Sequence, residues 1–222
     1  TLFRSTPEII SFGRTHFGTA INYAELRIWN ASFNPNNATD VTLNLEANKT
    51  WYTLDHTFGY SAYVYDIDGD ETDEIITGGV SYNGTVNWAQ LAVWNYTGGV
   101  INEETNITWI TGNDSTEVFG IYVNDVDRDG TVEILTAGKS GDNNDKCQFR
   151  IWNYTGGTLN LEYSDNWSLS SGKFCEDYAI AVGDLFGYGN DSIIIGGSSK
   201  DGSNIQNAEI RIYQWNNTDY VL

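Results

Sequence analysis

A repeat constrains this chain more than any other feature. Three segments align without gaps on an acidic loop: YVYDIDGDETDEIITGG (63–79), YVNDVDRDGTVEILTAG (122–138) and AVGDLFGYGNDSIIIGG (181–197). They place Asp66, Asp125 and Asp184 59 residues apart. A fourth copy opens the chain, where PEIISFG (7–13) matches DEIITGG, VEILTAG and DSIIIGG. Downstream of each copy stands a second recurring segment: AELRIWN (24–30), AQLAVWN (89–95), CQFRIWN (147–153) and AEIRIYQ (208–214). A third landmark, Trp51, Trp109 and Trp167, returns every 58 residues. Self-similarity at such a period means that one supersecondary unit is stacked several times.

Each unit reads as four strands. The first ends at the leading Asp of the acidic loop, the second is the EIITGG-like run, the third the RIWN-like run and the fourth the Trp segment. Abundant Thr, Val, Ile, Tyr and Trp, 23 Gly against 2 Pro, and no long apolar pattern of helical period all favour strands joined by turns. The expected fold is all-β, a β-propeller of four-stranded antiparallel blades, because each twisted sheet buries its faces only against the next. It forms a single domain over 1–222, with repeats near 1–57, 58–116, 117–175 and 176–222. Aromatic residues returning at one repeat position are packing residues, so Trp29, Trp94, Trp152 and Tyr213 are assigned to the core.

A formal net charge of −19, from 11 basic and 30 acidic residues, repels nucleic acid and favours cations as partners. No stretch is long and apolar enough to insert into a membrane, and TLFRSTPEII lacks the plan of a signal peptide. Eleven N-x-S/T sequons, at Asn30, Asn37, Asn48, Asn83, Asn95, Asn106, Asn113, Asn153, Asn166, Asn190 and Asn216, point to an extracellular or cell-surface glycoprotein.

The segments FGYSAYVYDIDGDETDEIITGG (58–79) and FGIYVNDVDRDGTVEILTAG (119–138) resemble the FG-GAP repeats of integrin α-chain propellers and related microbial surface proteins. The resemblance spans nearly the whole chain. It implies propeller blades, a calcium loop of the pattern D-x-D-x-D-x-x-x-D/E between the first two strands of some blades, and a role in recognition or adhesion.

The residues themselves carry the same chemistry. Counted from Asp66, carboxylates fall at loop positions 1, 3, 5 and 9 (Asp66, Asp68, Asp70, Glu74), with Thr72 at position 7 offering its backbone carbonyl. The second loop repeats this with Asp125, Asp127, Asp129 and Glu133, and with Thr131 as the carbonyl donor. A tight loop turns alternate residues toward one centre, and a hard dication such as Ca2+ takes oxygen ligands in that manner, whereas Mg2+ keeps its water. Two Ca2+ sites are expected. The other two copies depart from the pattern: positions 3, 5 and 9 of the last loop are Phe186, Tyr188 and Ser192, and the first copy has Leu2 and Arg4 at positions 3 and 5. Neither is expected to bind, and packing of the aromatics is expected to replace the ion in the last loop.

In this register the chain begins inside a loop whose preceding strand is absent and ends just after the third strand of the last copy. The first and last repeats are therefore expected to be incomplete, with further blades of the same protein, or other copies in a homo-oligomer, covering the open edges. Cys147 stands where other copies have Ala24, Ala89 and Ala208, which fits a small buried thiol. Yet the start of a third strand and the connection into the next first strand share one face of a blade, so Cys147 and Cys175 are expected to form a disulfide.

His16 and His56 lie in different repeats without a nucleophile motif and read as surface loop residues, and no phosphate loop appears. The chain is expected not to be an enzyme. The leading function is a calcium-stabilised extracellular recognition or adhesion propeller, binding protein or glycan through the loops opposite the acidic ones: GRTHFGTAINY, GVSYNGTVNW, KSGDNNDK and SSKDGSNIQN. Two alternatives stand beside it: a structural surface-layer or filament subunit, and a carbohydrate-active enzyme similar to polysaccharide lyases that carry calcium loops.

Overall fold

The computed structural model describes residues 8–18, 20–34, 37–53, 55–112, 115–141, 146–168, 174–203 and 205–222, with the backbone alone for 33, 34 and 37–39. Every described element is a strand, and among the described residues no helix is long and apolar enough to cross a membrane. The first sheet holds β1 (Glu8–His16), β2 (Asn22–Asn34) and β3 (Asn37–Trp51). The second holds β4 (His56–Tyr65), β5 (Glu74–Tyr82), β6 (Asn87–Thr97) and β7 (Val100–Trp109). The third holds β8 (Thr116–Asn124), β9 (Glu133–Ser140), β10 (Lys146–Thr155) and β11 (Thr158–Trp167). The fourth holds β12 (Cys175–Gly183), β13 (Ser192–Lys200), β14 (Gln206–Trp215) and β15 (Tyr220–Val221). Within each sheet the strands pair antiparallel in chain order, so the fold is all-β with four antiparallel sheets. The last copy has a short fourth strand, which corrects the expectation that it lacks one: Tyr220 pairs with Trp215 and Val221 with Gln214.

Alternation along the inner strands divides the apolar residues between two faces. Ile75 joins a core with Leu26 and Ile28 of the first sheet, whereas its neighbour Ile76 joins one with Val118 and Ile121 of the third. Ile134 and Leu135 split likewise between the second and fourth sheets. A strand buried on both faces reads as a continuous apolar run, which is why β5 and β9 have no polar side. Full burial of each Ile or Leu contributes about 2 kcal/mol.

The recurring tryptophans lock adjacent sheets. Trp51 lies 4.4 Å from Trp94 and Trp109 lies 4.8 Å from Trp152, centroid to centroid. Trp94, Trp152 and Tyr213 are buried, but Trp29 is half-buried, which corrects its assignment to the core. By its register Trp29 shares a face with Ile9 and Leu45, both about half exposed, and among the described residues no sheet covers that face. His56 is corrected too: it begins β4, its Nδ1 accepts the Asn22 N–H at 3.0 Å, and its ring stacks on Tyr82. His16 ends β1 and is exposed.

Two bulges recur. In β4, β8 and β12 the register skips one residue at the same repeat position, leaving Tyr60, Phe119 and Tyr178 without a partner across the sheet. The strand opposite carries Gly79, Gly138 and Gly197 there, and a Cβ on any of them falls 1.9–2.2 Å from the carbonyl oxygen of Phe58, Glu117 or Glu176. That close approach accounts for the last glycine of ITGG, LTAG and IIGG. A second bulge leaves Glu46, Glu104 and Glu162 as the extra residues of the fourth strands.

Candidate metal centres

The acidic loops join the first strand of a sheet to its second, β4 to β5 and β8 to β9. Short carboxylate-to-backbone bonds build them. Asp66 accepts from Gly69 N–H at 2.8 Å and Glu71 N–H at 3.0 Å, Asp68 from Asp70 N–H, and Asp70 from Thr72 N–H. The second loop repeats the scheme: Asp125 accepts from Gly130 N–H, Asp127 from Asp129 N–H, and Asp129 from Thr131 N–H. Positions 4 and 6 are left-handed in both, through Gly69 and Glu71 in one and Arg128 and Gly130 in the other.

The two loops are not equally gathered. One ligand oxygen from each of Asp125, Asp127, Asp129 and Glu133 lies within 4.8 Å of every other. In the first loop Asp66, Asp68 and Asp70 gather in this way, but Glu74 is not part of the group. Glu74 and Glu133 are both buried, and each accepts from the backbone N–H at position 2, Ile67 at 3.1 Å and Val126 at 2.9 Å. Asp125 Oδ1 and Glu133 Oε1 are buried without any hydrogen-bond partner.

Such crowding raises proton affinity. Burial, reinforced by Asp68, Glu104 and Asp70, pushes Glu74 up to about 7 against the opposing Ile67 N–H. Burial with Asp127, Glu162 and Asp125 pushes Glu133 up to about 8, and burial also raises Asp127. Unpartnered buried oxygens among mutually repelling carboxylates fit a hard dication: Asp125, Asp127, Asp129 and Glu133 would hold it, and its charge would offset their repulsion.

The last loop keeps the backbone and loses the ligands. Gly187 and Gly189 are left-handed at the same two positions, and Asp184 accepts from Tyr188 N–H at 3.0 Å and Gly189 N–H at 2.7 Å. These bonds hold Asp184 below its usual pKa. Phe186 and Tyr188 are 52% and 84% exposed, so aromatic packing does not replace an ion there. The leading Asp thus serves as the staple of the turn in all three loops, which explains why it alone survives in the third. The loop of the first copy lies outside the described residues.

Sequence reasoning passed over the bulged glutamates. Tyr154 Oη donates to Glu104 Oε2 at 2.7 Å and Tyr220 Oη to Glu162 Oε1 at 3.3 Å, each tyrosine reaching back to the preceding sheet. Their charges bear on Glu74 and Glu133 respectively. The signal was present, since Glu46, Glu104 and Glu162 stand 58 residues apart.

A disulfide joins Cys147 to Cys175 and ties β10 to β12 within the core between the third and fourth sheets. Of the sequon residues, Asn48, Asn83, Asn106, Asn166, Asn190 and Asn216 are exposed, Asn30, Asn95 and Asn153 are half-buried, and Asn113 lies outside the described residues. Asn37 is in β3, its side chain undescribed.

No protein-family model matches the chain, and no curated protein matches it. Among solved structures it is similar to rhamnogalacturonan lyase YesW, with 14% identity and a TM-score of 0.47 over 90% of this chain and 42% of that one. The exotype rhamnogalacturonan lyase YesX gives 14% identity and a TM-score of 0.47 over 89% of this chain and 40% of that one. The chain spans about two fifths of the length of these proteins, and a likeness at this level assigns neither activity nor substrate.

Proposed function

We propose that the four sheets are successive blades of a β-propeller and that the chain is a calcium-stabilised extracellular recognition module, without catalysis of its own. Support for the blades comes from the order of the sheets, each packed face to face on the next through one core. A disulfide and exposed sequons suit an oxidising, extracellular setting. The observation that carries the reading is the gathering of Asp125, Asp127, Asp129 and Glu133, of which Asp125 and Glu133 each keep a buried oxygen without a hydrogen-bond partner.

Calcium at these loops would brace the turns between first and second strands. Antiparallel order puts the turns between second and third strands at the other end of the sheets, which leaves that end for a protein or glycan ligand. Calorimetric titration and thermal unfolding with Ca2+, against Mg2+ and against the double change Asp68→Ala plus Asp127→Ala, test the reading. Two calcium sites with a rise in melting temperature that the double change abolishes are expected. Absence of calcium binding overturns it.

A further inference from the structure

The three bulges of the first strands put an aromatic residue at the same place on three successive sheets. Tyr60 lies 5.4 Å from Phe119, and Phe119 lies 5.5 Å from Tyr178, so the rings form one evenly spaced row across β4, β8 and β12. These are the edge strands of their sheets, and the row stays open: Tyr60 is 46% and Tyr178 49% exposed, with Phe119 half-buried between them. A bulge re-aims the side chain it inserts, here in register on three sheets.

The surroundings hold the rings still. Tyr178 Oη donates to Glu176, and Glu117 stands within hydrogen-bonding reach of Tyr60 Oη. Lys139 Nζ sits between the two carboxylates, 3.5 Å from Glu117 and 3.1 Å from Glu176. Each tyrosine is thereby a fixed platform, and such preorganisation favours binding. Glu117 and Glu176 flank the row with Lys139 between them and the Arg14 charge acting on Tyr60, in a chain of net charge −19.

We propose that this aromatic row binds a neutral, linear glycan, one sugar ring to each aromatic ring. A pyranose has an apolar C–H face that stacks on an aromatic face and equatorial hydroxyls that donate to the phenolic oxygens, and the ring spacing is on the order of one sugar residue. Anionic sugars are disfavoured by the net charge of −19. A peptide strand has no ladder to join here, because the bulges interrupt each edge at that point. The inference refines the recognition role proposed above and rests on it, but it is independent of calcium and places the ligand on the edge strands rather than the end loops.

Calorimetric titration of the whole chain with cellohexaose, with hexagalacturonate and with a lysine-rich decapeptide tests it, alongside Tyr60→Ala, Tyr178→Ala, Tyr60→Phe and, in the end loops, Asn83→Ala. Unchanged melting temperatures certify the fold of each variant. Cellohexaose is expected to bind, to weaken about tenfold on loss of each ring, and to retain most affinity in Tyr60→Phe and all of it in Asn83→Ala. Hexagalacturonate and the peptide are expected not to compete. Cellohexaose binding that Asn83→Ala abolishes and Tyr60→Ala leaves intact overturns the row while leaving the recognition reading in place. Preference for hexagalacturonate or the peptide, or no binding by any probe, overturns the proposal outright.

Discussion

The indole N–H of Trp109, at the end of β7, donates to Oε1 of Gln148, in β10 of the next sheet, at 2.8 Å. Gln148 passes the contact on through Nε2, which donates to Thr111 Oγ1 and Asn166 Oδ1, each at 3.0 Å. The same link is made between Trp51 and Gln90, and between Trp167 and Glu209. Gln148 is 3% exposed, so truncation strands several polar groups away from water. Gln148→Ala is expected to destabilise by about 1–3 kcal/mol, measured as a lower urea midpoint at constant slope. An unchanged midpoint means that water already serves these groups.

Gly138 faces the bulge at Phe119, and a Cβ there lies 1.9 Å from the carbonyl oxygen of Glu117. Backbone cannot yield as a flexible side chain can, so Gly138→Ala is expected to cost about 2 kcal/mol or more and to disturb the row from Tyr60 to Tyr178. Gly13, at the matching place in the first sheet, has no atom within 4 Å of its Cβ. Gly13→Ala is therefore the control, neutral or slightly stabilising. Equal effects at the two sites contradict the argument.

Glu162 stands between two roles, accepting from Tyr220 and adding charge beside Glu133. Glu162→Gln keeps an acceptor and removes the charge. If the second loop holds calcium, the variant binds it several-fold more weakly at low salt, and the difference shrinks as ionic strength rises. A deficit that is indifferent to salt means that Glu162 acts through packing alone.

The strand order was legible because the repeat is gapless across the acidic loop, and spacing alone brought Asp125, Asp127, Asp129 and Glu133 to one centre. What escaped was set by backbone detail. A bulge adds a residue without altering the repeat length, so nothing in the strings FGYSAYVYD and EVFGIYVND marks Tyr60 or Phe119 as unpaired. Equal spacing did not bring Glu74 into its group, although Glu74 makes the same bond to the backbone N–H at position 2 that Glu133 makes. Trp29 matches Trp94 in sequence but lacks a sheet before it among the described residues, and burial depends on the neighbour as much as on the residue.

The disulfide between Cys147 and Cys175 closes a loop with a sequence separation of 28 across two sheets. Replacing both cysteines by alanine is expected to cost roughly 3 kcal/mol, chiefly by freeing the unfolded chain. Hydrogen exchange should rise most in β12 and β13, which it anchors to the third sheet, and least in β4 and β5. Uniform acceleration throughout the chain argues against a local tie.

Asp177 occupies the place of Val118 and Gly59 in the neighbouring sheets, is 1% exposed, and has Oδ2 without a partner. Burial, then the charge of Glu209, push its pKa up to about 8 from 3.8, while Arg211 pulls the other way. The folded state thus prefers the protonated acid. Its contribution to stability is full below about pH 4 and is lost as pH rises through about 8, since the unfolded chain ionises first. Asp177→Asn keeps the shape and removes the titration. The stability of the variant relative to the parent is therefore expected to climb by at least about 1 kcal/mol between pH 4 and 8 and to level off above. Urea unfolding of both proteins across that range decides it. Parallel curves mean that Asp177 is ionised in the fold and is compensated, with Arg211 the partner to test next.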